Sequence, residues 1–320
     1  MSKSKLTFAQ KTLYYTLLAL MRCVAILPDF ILCTIFKPLL YVLTYHVARY
    51  RVKVVRDNLE QCFPQKTPKE LRSIERKFYW FFAELLLNIL NLTIITPRKL
   101  ARCIKVKSGC ENFATDQRPI IVMLAHYGCW ELLAGFTMPQ YGFHTICVYH
   151  ELENPVADKI MRFIRERLGG IPVERREVLR YCVANRNGYP DGGRMLWGMI
   201  SDQTPARDLK HHWLKFMGRP TVFARGSEYM AVKFDMPVYF LWVDKVGFGR
   251  YEYRFEMIYD GKEEVDEYEI TERYAKLLER QINTQPEYWL WTHRRWKRPF
   301  CDAARQNYYE RYPEDCPNEG

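Results

Sequence analysis

The stretch PIIVMLAHYGCWELLAG, residues 119–135, decides the fold more than any other part of the chain. It begins with an apolar run of strand length and ends in a helical pattern, with His126 and the flexible pair Tyr127-Gly128 between them. Apolar strands that alternate with helices of about 10–15 residues are typical of a mostly parallel sheet covered on both faces. We therefore predict an α/β protein.

The same alternation continues through most of the chain. Strands are predicted at 104–108, 119–126, 144–150, near Ile171, and at 194–201, 238–245 and 251–259. Helices are predicted at 67–92, 130–138, 155–169, 176–186 and 266–283. The first of these helices begins with a capping box from Thr67 to Glu70. The pattern favours one mostly parallel central sheet flanked by helices.

The amino-terminal region has a different character. Residues 8–48 are apolar but interrupted by charges, so that no uncharged run approaches the roughly 18–20 residues that span a bilayer. We predict two amphipathic helices, 8–27 and 29–48, that break near Pro28. Residues 1–60 carry nine Lys or Arg against three acids, which favours an anionic membrane interface. A hairpin packed on the protein's own core and a tilted single span remain alternatives.

This contrast predicts three parts: membrane-interface helices at 1–50, an α/β domain at 51–300 and a polar tail at 301–320. The composition, with 48 Lys+Arg against 37 Asp+Glu and 15% aromatic residues, allows a nucleic acid or an anionic membrane as partner. The ten cysteines form no C-x-x-C, and none has a histidine at metal-ligand spacing. Reduced thiols without a metal site are therefore expected.

His126 and Glu131 are the first candidates for chemistry. His126 lies at the carboxyl end of a predicted strand, where open α/β sheets bind their ligands. A carboxylate bonded to one ring nitrogen would fix the tautomer and leave the other nitrogen as a base. We expect Glu131, in the first turn of the next helix, to be that carboxylate. A lone histidine beside an unrelated glutamate is the alternative reading of the same spacing.

Five segments in order carry a resemblance to a known family. They are VVRDNLEQCFP (54–64), IIVMLAHYGCWELLAG (120–135), SDQTP (201–205), FMGRPTVFARGSEYMAVKFDMPVYFLWV (216–243) and WLWTHRRWKRPF (289–300). Together they resemble the bacterial lipid A late acyltransferases, the lauroyl and myristoyl transferase family that also includes the phosphatidylinositol mannoside acyltransferases. The resemblance covers nearly the whole chain.

The resemblance implies a glycerolipid-acyltransferase-like fold and the transfer of a fatty acyl chain from acyl carrier protein to a hydroxyl of a membrane glycolipid. It implies His126 as general base and Glu131 as its orienter, at the cytoplasmic face of the bacterial inner membrane. No bound cofactor or metal is expected, since the acyl carrier protein thioester is a co-substrate. A paired serine or cysteine nucleophile is not evident in the sequence, which favours direct transfer.

Two departures from the family pattern leave the acceptor open. The acidic residue five positions after His126 is Glu131, where the lipid A enzymes more often have Asp. Thr204 stands where the family has an acidic residue after Asp-Gln. A lipid A precursor is favoured. A mannoside or an amino-acid-containing lipid is the alternative acceptor.

Four further residues are predicted to bind the substrate or to stabilise its oxyanion. Arg176, with Arg175 beside it, is predicted to stabilise the thioester oxyanion or bind substrate, and a solvated helix face is the alternative. Asp202 and Gln203 end a predicted buried strand on the same edge of the sheet as His126. They are predicted to bind an arginine or the headgroup of the acceptor, and an ordinary turn is the alternative. The apolar helix at 78–92 is expected to line an acyl tunnel.

The closing basic segment, 293–300, interleaves cations with aromatic rings. Arg294, Arg295 and Lys297 are predicted to contact lipid headgroups or the acidic carrier protein. The same set could bind single-stranded nucleic acid, but no nucleic-acid fold motif accompanies it, so no nucleic-acid partner is expected. A non-catalytic lipid-binding protein is the strongest reading outside the enzymes.

Overall fold

The structure is a computed structural model that describes residues 6–113, 115–135, 142–186, 188–206, 211–300 and 302–316. The strands are β1 (Ile104–Ser108), β2 (Ile120–Leu124), β3 (Phe143–Tyr149), β4 (Ile171–Glu174), β5 (Arg194–Ile200), β6 (His211–Phe216), β7 (Arg219–Ala224), β8 (Val238–Gly247) and β9 (Arg250–Tyr259). The helices are α1 (Phe8–Ala25), α2 (Asp29–Ile31), α3 (Lys37–Tyr41), α4 (Val52–Cys62), α5 (Pro68–Leu92), α6 (Pro97–Cys103), α7 (Pro155–Arg167), α8 (Val178–Ala184), α9 (Gly226–Lys233), α10 (Glu269–Thr284) and α11 (Asp302–Arg311).

The central sheet has the order β1-β9-β8-β2-β5-β3-β4. β2 lies in its middle and pairs in parallel with both β5 and β8, and β3 and β4 continue the parallel set. β9 runs antiparallel to β8. All five residues of β2 are buried, as expected for a parallel strand with helices on both faces. The predicted fold class, a mostly parallel sheet flanked by helices, is confirmed.

Some elements differ from the predicted ones. β6 and β7 form a separate antiparallel hairpin that the sequence pattern did not indicate. The predicted helix 130–138 is a 3₁₀ turn at Trp130–Gly135, and residues 136–138 of that prediction lie outside the described residues. The predicted polar tail contains α11, where Tyr308 is fully buried and donates a hydrogen bond to Asp315.

The amino-terminal helices share the core of the α/β domain while exposing apolar side chains. Tyr14, Leu18 and Tyr45 are buried in the same hydrophobic cluster as α5. The helical segment Asp29–Val47 contains α2 and α3, with one π-helical turn between them and a second after α3. It is long and apolar enough to cross a membrane by length and composition, and is the one such segment in the described chain. Asp29 and Lys37 lie within it, so the tilted single span stays an alternative to helices that lie in the membrane interface.

Lys37 lies in the middle of this segment. Its ammonium is buried and lies 2.6 Å from a carboxylate oxygen of Glu84 on α5. Lys245, at the end of β8, approaches the other oxygen of Glu84 at 2.9 Å. The charge that interrupts the apolar run in the sequence is therefore neutralised inside the protein rather than presented to lipid.

Candidate active site

Two neighbouring parallel strands bring His126 and Asp202 together. Leu124 of β2 is aligned with Ile200 of β5, so the residues two positions further along each chain meet beyond the carboxyl edge. The ring Nδ1 of His126 lies 2.8 Å from Oδ1 of Asp202. The backbone N–H of His126 donates to Oδ2 of the same carboxylate at 3.1 Å.

Asp202 is held as a buried carboxylate. Its side chain is 2% exposed, and the indole N–H of Trp289 donates to Oδ2 at 2.8 Å. Burial by itself raises the pKa of Asp202, but the charge of His126 and the hydrogen bonds from the His126 ring, Trp289 and the His126 backbone outweigh it, and the pKa is lowered. A charged Asp202 accepts the proton on Nδ1 of His126, which leaves the lone pair on Nε2.

The Nε2 side of the ring faces the side chain of Gln203. The His126 side chain is 18% exposed, and the side-chain amide nitrogen of Gln203 lies 3.2 Å from Nε2. The ring of Trp130 meets the imidazole edge-on, with ring centroids 4.7 Å apart. His126 therefore has one nitrogen fixed by a carboxylate and the other directed to a partly exposed polar position.

Glu131 has a different partner from the one predicted. Its two carboxylate oxygens accept hydrogen bonds from Nε and Nη2 of Arg165 at 2.9 and 2.6 Å. The indole N–H of Trp130 also donates to Glu131, at 3.2 Å. The predicted contact between His126 and Glu131 is therefore corrected, because Asp202 occupies Nδ1 and Arg165 binds both oxygens of Glu131. The catalytic role of Glu131 stays a prediction.

Arg165 is the site residue that sequence reasoning missed. It lies in the last turn of α7, and its side chain is 13% exposed. Burial lowers the pKa of Arg165, but the charge of Glu131 and its hydrogen bonds raise it more, so the group stays a cation. In the sequence it is one of three arginines in the stretch RFIRER (162–167), and nothing in the spacing distinguishes it from its neighbours.

The structure does not place Arg175 and Arg176 beside His126. They lie in a 3₁₀ turn after β4, on the same edge of the sheet, but β5 and β3 separate β4 from β2. Three strand spacings correspond to about 14 Å. Arg176 is exposed. Their role as oxyanion or substrate contacts stays a prediction. Arg165, which binds Glu131, is a cation nearer to the turn after His126.

The closing basic segment divides into buried and exposed members. Arg294 and Lys297 are exposed, whereas Arg295 is 1% exposed. The guanidinium of Arg295 donates to the carbonyl of Val222 at 2.6 Å and lies over the ring of Phe223 at 4.5 Å. The prediction that Arg295 contacts a headgroup or carrier protein is therefore wrong, because this part of the segment turns its side chain into the core.

Arg295 and Asp202 are opposite charges in the same buried region. Burial lowers the pKa of Arg295 to about 10, and the charge of Asp202 opposes that shift. The guanidinium therefore stays charged at neutral pH. Among the described residues, no hydrogen-bond partner reaches its Nε or Nη1. The cation favours the charged form of Asp202 and so supports the pair with His126.

His293 is a second histidine near this cluster. The backbone N–H of Thr204 donates to its Nε2 at 3.3 Å. Burial and the positive charges of Arg295, His126 and Lys297 lower the pKa of His293 to about 4, although Asp202 acts in the opposite direction. The imidazole of His293 is therefore neutral at neutral pH.

The described residues contain no group of three or more His, Cys, Asp or Glu side chains arranged to hold a metal ion. The cysteines among them are free. A narrow apolar cavity of about 30 Å³ lies beside the Glu131–Arg165 pair, between the ends of β2, β3 and β5. The helix at 78–92, predicted to line an acyl tunnel, instead contributes residues to two larger cavities on the side of the amino-terminal helices.

Comparison with known families gives the class of the protein. A sequence profile of the family described as bacterial lipid A biosynthesis acyltransferase matches residues 2–298. The protein is an acyltransferase that acts on lipids. It belongs to the bacterial lipid A biosynthesis acyltransferase family, as the resemblance implied, and the non-catalytic lipid-binding alternative is not supported.

A comparison with the curated proteins found no match. Among solved structures, the chain is similar to the 1-acyl-sn-glycerophosphate acyltransferase PlsC from Thermotoga maritima, with 16% sequence identity and a TM-score of 0.35. The match covers 78% of this chain and 96% of that one. A likeness of this extent does not identify a substrate.

Proposed function

We propose that the protein transfers a fatty acyl chain from the thioester of acyl carrier protein to a hydroxyl of a membrane glycolipid, with a lipid A precursor as the favoured acceptor. One observation carries the proposal. The buried, charged Asp202 lies 2.8 Å from Nδ1 of His126, and this leaves Nε2 as a base at the carboxyl edge of the sheet.

In this mechanism Nε2 of His126 takes the proton of the acceptor hydroxyl as the hydroxyl oxygen forms a bond to the thioester carbonyl carbon. The carbonyl oxygen becomes an oxyanion, and the carbon–sulfur bond then breaks. The imidazolium returns its proton to the leaving thiolate of the carrier. Asp202 stabilises the imidazolium while it exists, because the carboxylate carries the opposite charge at hydrogen-bond distance.

The oxyanion needs a fixed donor. The side-chain amide of Gln203 lies 3.2 Å from Nε2, and we assign it to this role once the acceptor hydroxyl takes its place on the ring. Glu131 holds Arg165 as a second, cationic group near the same turn. Arg175 and Arg176 remain proposed substrate contacts further along the edge. Arg294 and Lys297 remain proposed contacts with the carrier protein or the headgroup.

The amino-terminal helices supply the membrane surface. Phe8, Ile26, Phe30 and Val47 are each more than two-thirds exposed, and such apolar side chains beside a basic terminus suit an anionic membrane interface. We propose that the enzyme acts at the cytoplasmic face of the inner membrane, where acyl carrier protein thioesters meet the acceptor lipid.

The proposal is tested by offering the purified full chain labelled acyl carrier protein thioesters together with a panel of lipids. The panel contains a phosphorylated glucosamine disaccharide lipid, a phosphatidylinositol mannoside and an amino-acid-containing lipid, and mass spectrometry identifies the product. We expect O-acylation of the glucosamine lipid. His126→Ala should abolish it, whereas His144→Ala, at the opposite end of β3 and paired with Asp191, should not. Acylation of another panel member alone would overturn the assigned acceptor.

A further inference from the structure

A large cavity lies between the amino-terminal helices and the sheet. Its volume is about 1310 Å³, and it is bounded by the bend after α1, the end of α5, helix α6 and the turn between β8 and β9. Leu132 belongs to its lining and directly follows Glu131 in the 3₁₀ turn after His126. We call this cavity the α6 groove. Leu132 therefore places one wall of the groove next to the turn that carries Glu131, on the side of the amino-terminal helices.

The α6 groove is strongly basic. Its lining includes four exposed cations, Arg98, Arg102, Lys105 and Arg250. Within the described chain, no carboxylate lies within ion-pair distance of them. Lys99 also lines it, but its charge is matched by Asp29 at 2.8 Å. Four cations without counterions in one concave surface are a site for a group with more than one negative charge.

A buried amide in the wall of the groove also lacks a partner. Asn91, near the end of α5, is 7% exposed and lines the cavity. In the described part of the chain, no donor reaches its side-chain oxygen. A buried acceptor without a partner destabilises the fold, and a hydroxyl or amide N–H of a ligand in the groove would satisfy it. This requirement points to a headgroup with hydroxyl or amide donors, as well as to an anion.

The mouth of the groove is apolar. Ile26 and Phe30, at the bend between α1 and α2, are 71% and 68% exposed and belong to the lining. Phe30 also lies in the segment that is long and apolar enough to cross a membrane. Apolar side chains at the mouth and cations inside match an amphiphile whose tails stay in the membrane while its headgroup enters the protein.

We propose that the α6 groove binds the phosphorylated sugar headgroup of the acceptor lipid. Arg98, Arg102, Lys105 and Arg250 bind its phosphate, and Asn91 accepts a hydrogen bond from a sugar hydroxyl or amide. This inference rests on the proposed acyl transfer to a glycolipid, and it names the chemistry that selects the acceptor. The apolar mouth and the buried Asn91 favour a lipid over the acidic surface of the carrier protein.

The test uses Arg102→Gln combined with Arg250→Gln in the full-length protein, with a bis-phosphorylated glucosamine disaccharide lipid and its enzymatically dephosphorylated form as probes. We expect the double variant to lower kcat/KM for the phosphorylated lipid by about 10- to 100-fold, because each charge-assisted hydrogen bond contributes strongly. For the dephosphorylated lipid, wild type and variant should agree within about twofold. The matched control is Lys69→Gln combined with Lys262→Gln, which removes the same charge from exposed positions outside the groove.

Two kinetic outcomes would overturn the inference. Equal losses for the two lipids would show that the arginines do not bind phosphate. A raised KM for the acyl carrier protein thioester, with the acceptor KM unchanged, would show that the groove docks the carrier protein instead.

Binding of the same two lipids in detergent micelles, measured by fluorescence without turnover, separates this inference from the proposed reaction. If the wild type transfers no acyl chain but still binds the phosphorylated lipid at least tenfold more tightly than the double variant does, the proposed reaction fails and the groove assignment stands. If wild type and double variant bind the phosphorylated lipid alike, the groove assignment fails whatever the enzyme transfers.

Discussion

Two buried carboxylates at the same edge of the sheet have opposite partners. Asp202, at the end of β5, is bonded to His126 and to Trp289. Glu131, five residues after His126 in the chain, is bonded to Arg165. One carboxylate holds the candidate base, and the other holds a cation.

This difference shows that strand adjacency, and not sequence adjacency, chose the partner of the histidine. His126 and Asp202 are 76 residues apart, but β2 and β5 are hydrogen-bonded neighbours in register. Glu131, five positions further on, lies in the 3₁₀ turn Trp130–Gly135 and binds Arg165 instead. The two carboxylates should therefore respond differently to the same kind of substitution.

The largest effect is expected for His126→Ala. Removal of the general base should lower kcat by up to about 10⁴-fold, because His126 is the base that Asp202 orients. Acceptor KM should change little, since the base does not bind the ground state. Transfer rates with labelled acyl carrier protein measure this loss. Retention of more than about a tenth of the wild-type rate would remove His126 from the mechanism.

Asp202→Asn should approach the loss of His126→Ala, up to about 10⁴-fold in kcat, by the known behaviour of a wrong histidine tautomer in such pairs. The reason lies in the bonds of the carboxylate. Oδ2 accepts from two N–H donors, Trp289 and the His126 backbone, so an amide would place its oxygen there. Its NH₂ group would then face Nδ1 of His126.

The matched control for Asp202→Asn is Asp158→Asn, a buried aspartate that binds the backbone of Leu152 away from the site. It should leave kcat within about twofold of wild type in the same transfer assay, as expected for distant positions. A similar loss in both variants would show that Asp202 acts only through folding.

Glu131→Gln should reduce kcat far less than His126→Ala does, but should destabilise the fold by about 3–5 kcal/mol, because it leaves the largely buried Arg165 without its counterion. Glu75→Gln is the matched control, since Glu75 is also buried and binds Arg56 through both oxygens. Both variants should lower the free energy of unfolding, measured by denaturant titration, and only Glu131→Gln should slow transfer. A loss of activity equal to that of His126→Ala, with unchanged stability, would restore Glu131 as the orienter.

The smallest effect concerns pH and His293. Its folded-state pKa of about 4 lies below the ordinary value of 6.5, so the unfolded chain binds more protons between these values and stability rises with pH across that window. Acidification from pH 7 to 4 should cost up to about 3 kcal/mol through this residue. His293→Gln should flatten the pH dependence of the unfolding free energy. An equally steep dependence in the variant would contradict the shift.

Much of the fold was readable from the sequence because strands such as β2 are continuous apolar runs, and α5 begins with a capping box that the structure contains. The β6–β7 hairpin was missed, because its strand HHWLKF (211–216) mixes polar and apolar residues without a clear period. The burial of Lys37 was not readable, because the sequence shows its charge but not its ion pair with Glu84.

The site was partly readable as well. His126, Asp202 and Gln203 were expected at one edge, and the structure brings these three together. Their pairing was not readable, because strand order in a parallel sheet is a property of the tertiary structure and not of local spacing. Arg295 was expected at the surface, but only the folded segment shows that its side chain turns inward, to the carbonyl of Val222.

The most direct test of the central claim is the tautomer of His126, read by long-range ¹H–¹⁵N NMR of the histidine-labelled protein near neutral pH. We expect the proton on Nδ1 in the wild type and in Glu131→Gln, because Asp202 holds it in both. In Asp202→Asn the proton should move to Nε2. A proton that stays on Nδ1 in Asp202→Asn and leaves it in Glu131→Gln would contradict the account and make Glu131 the partner of the histidine.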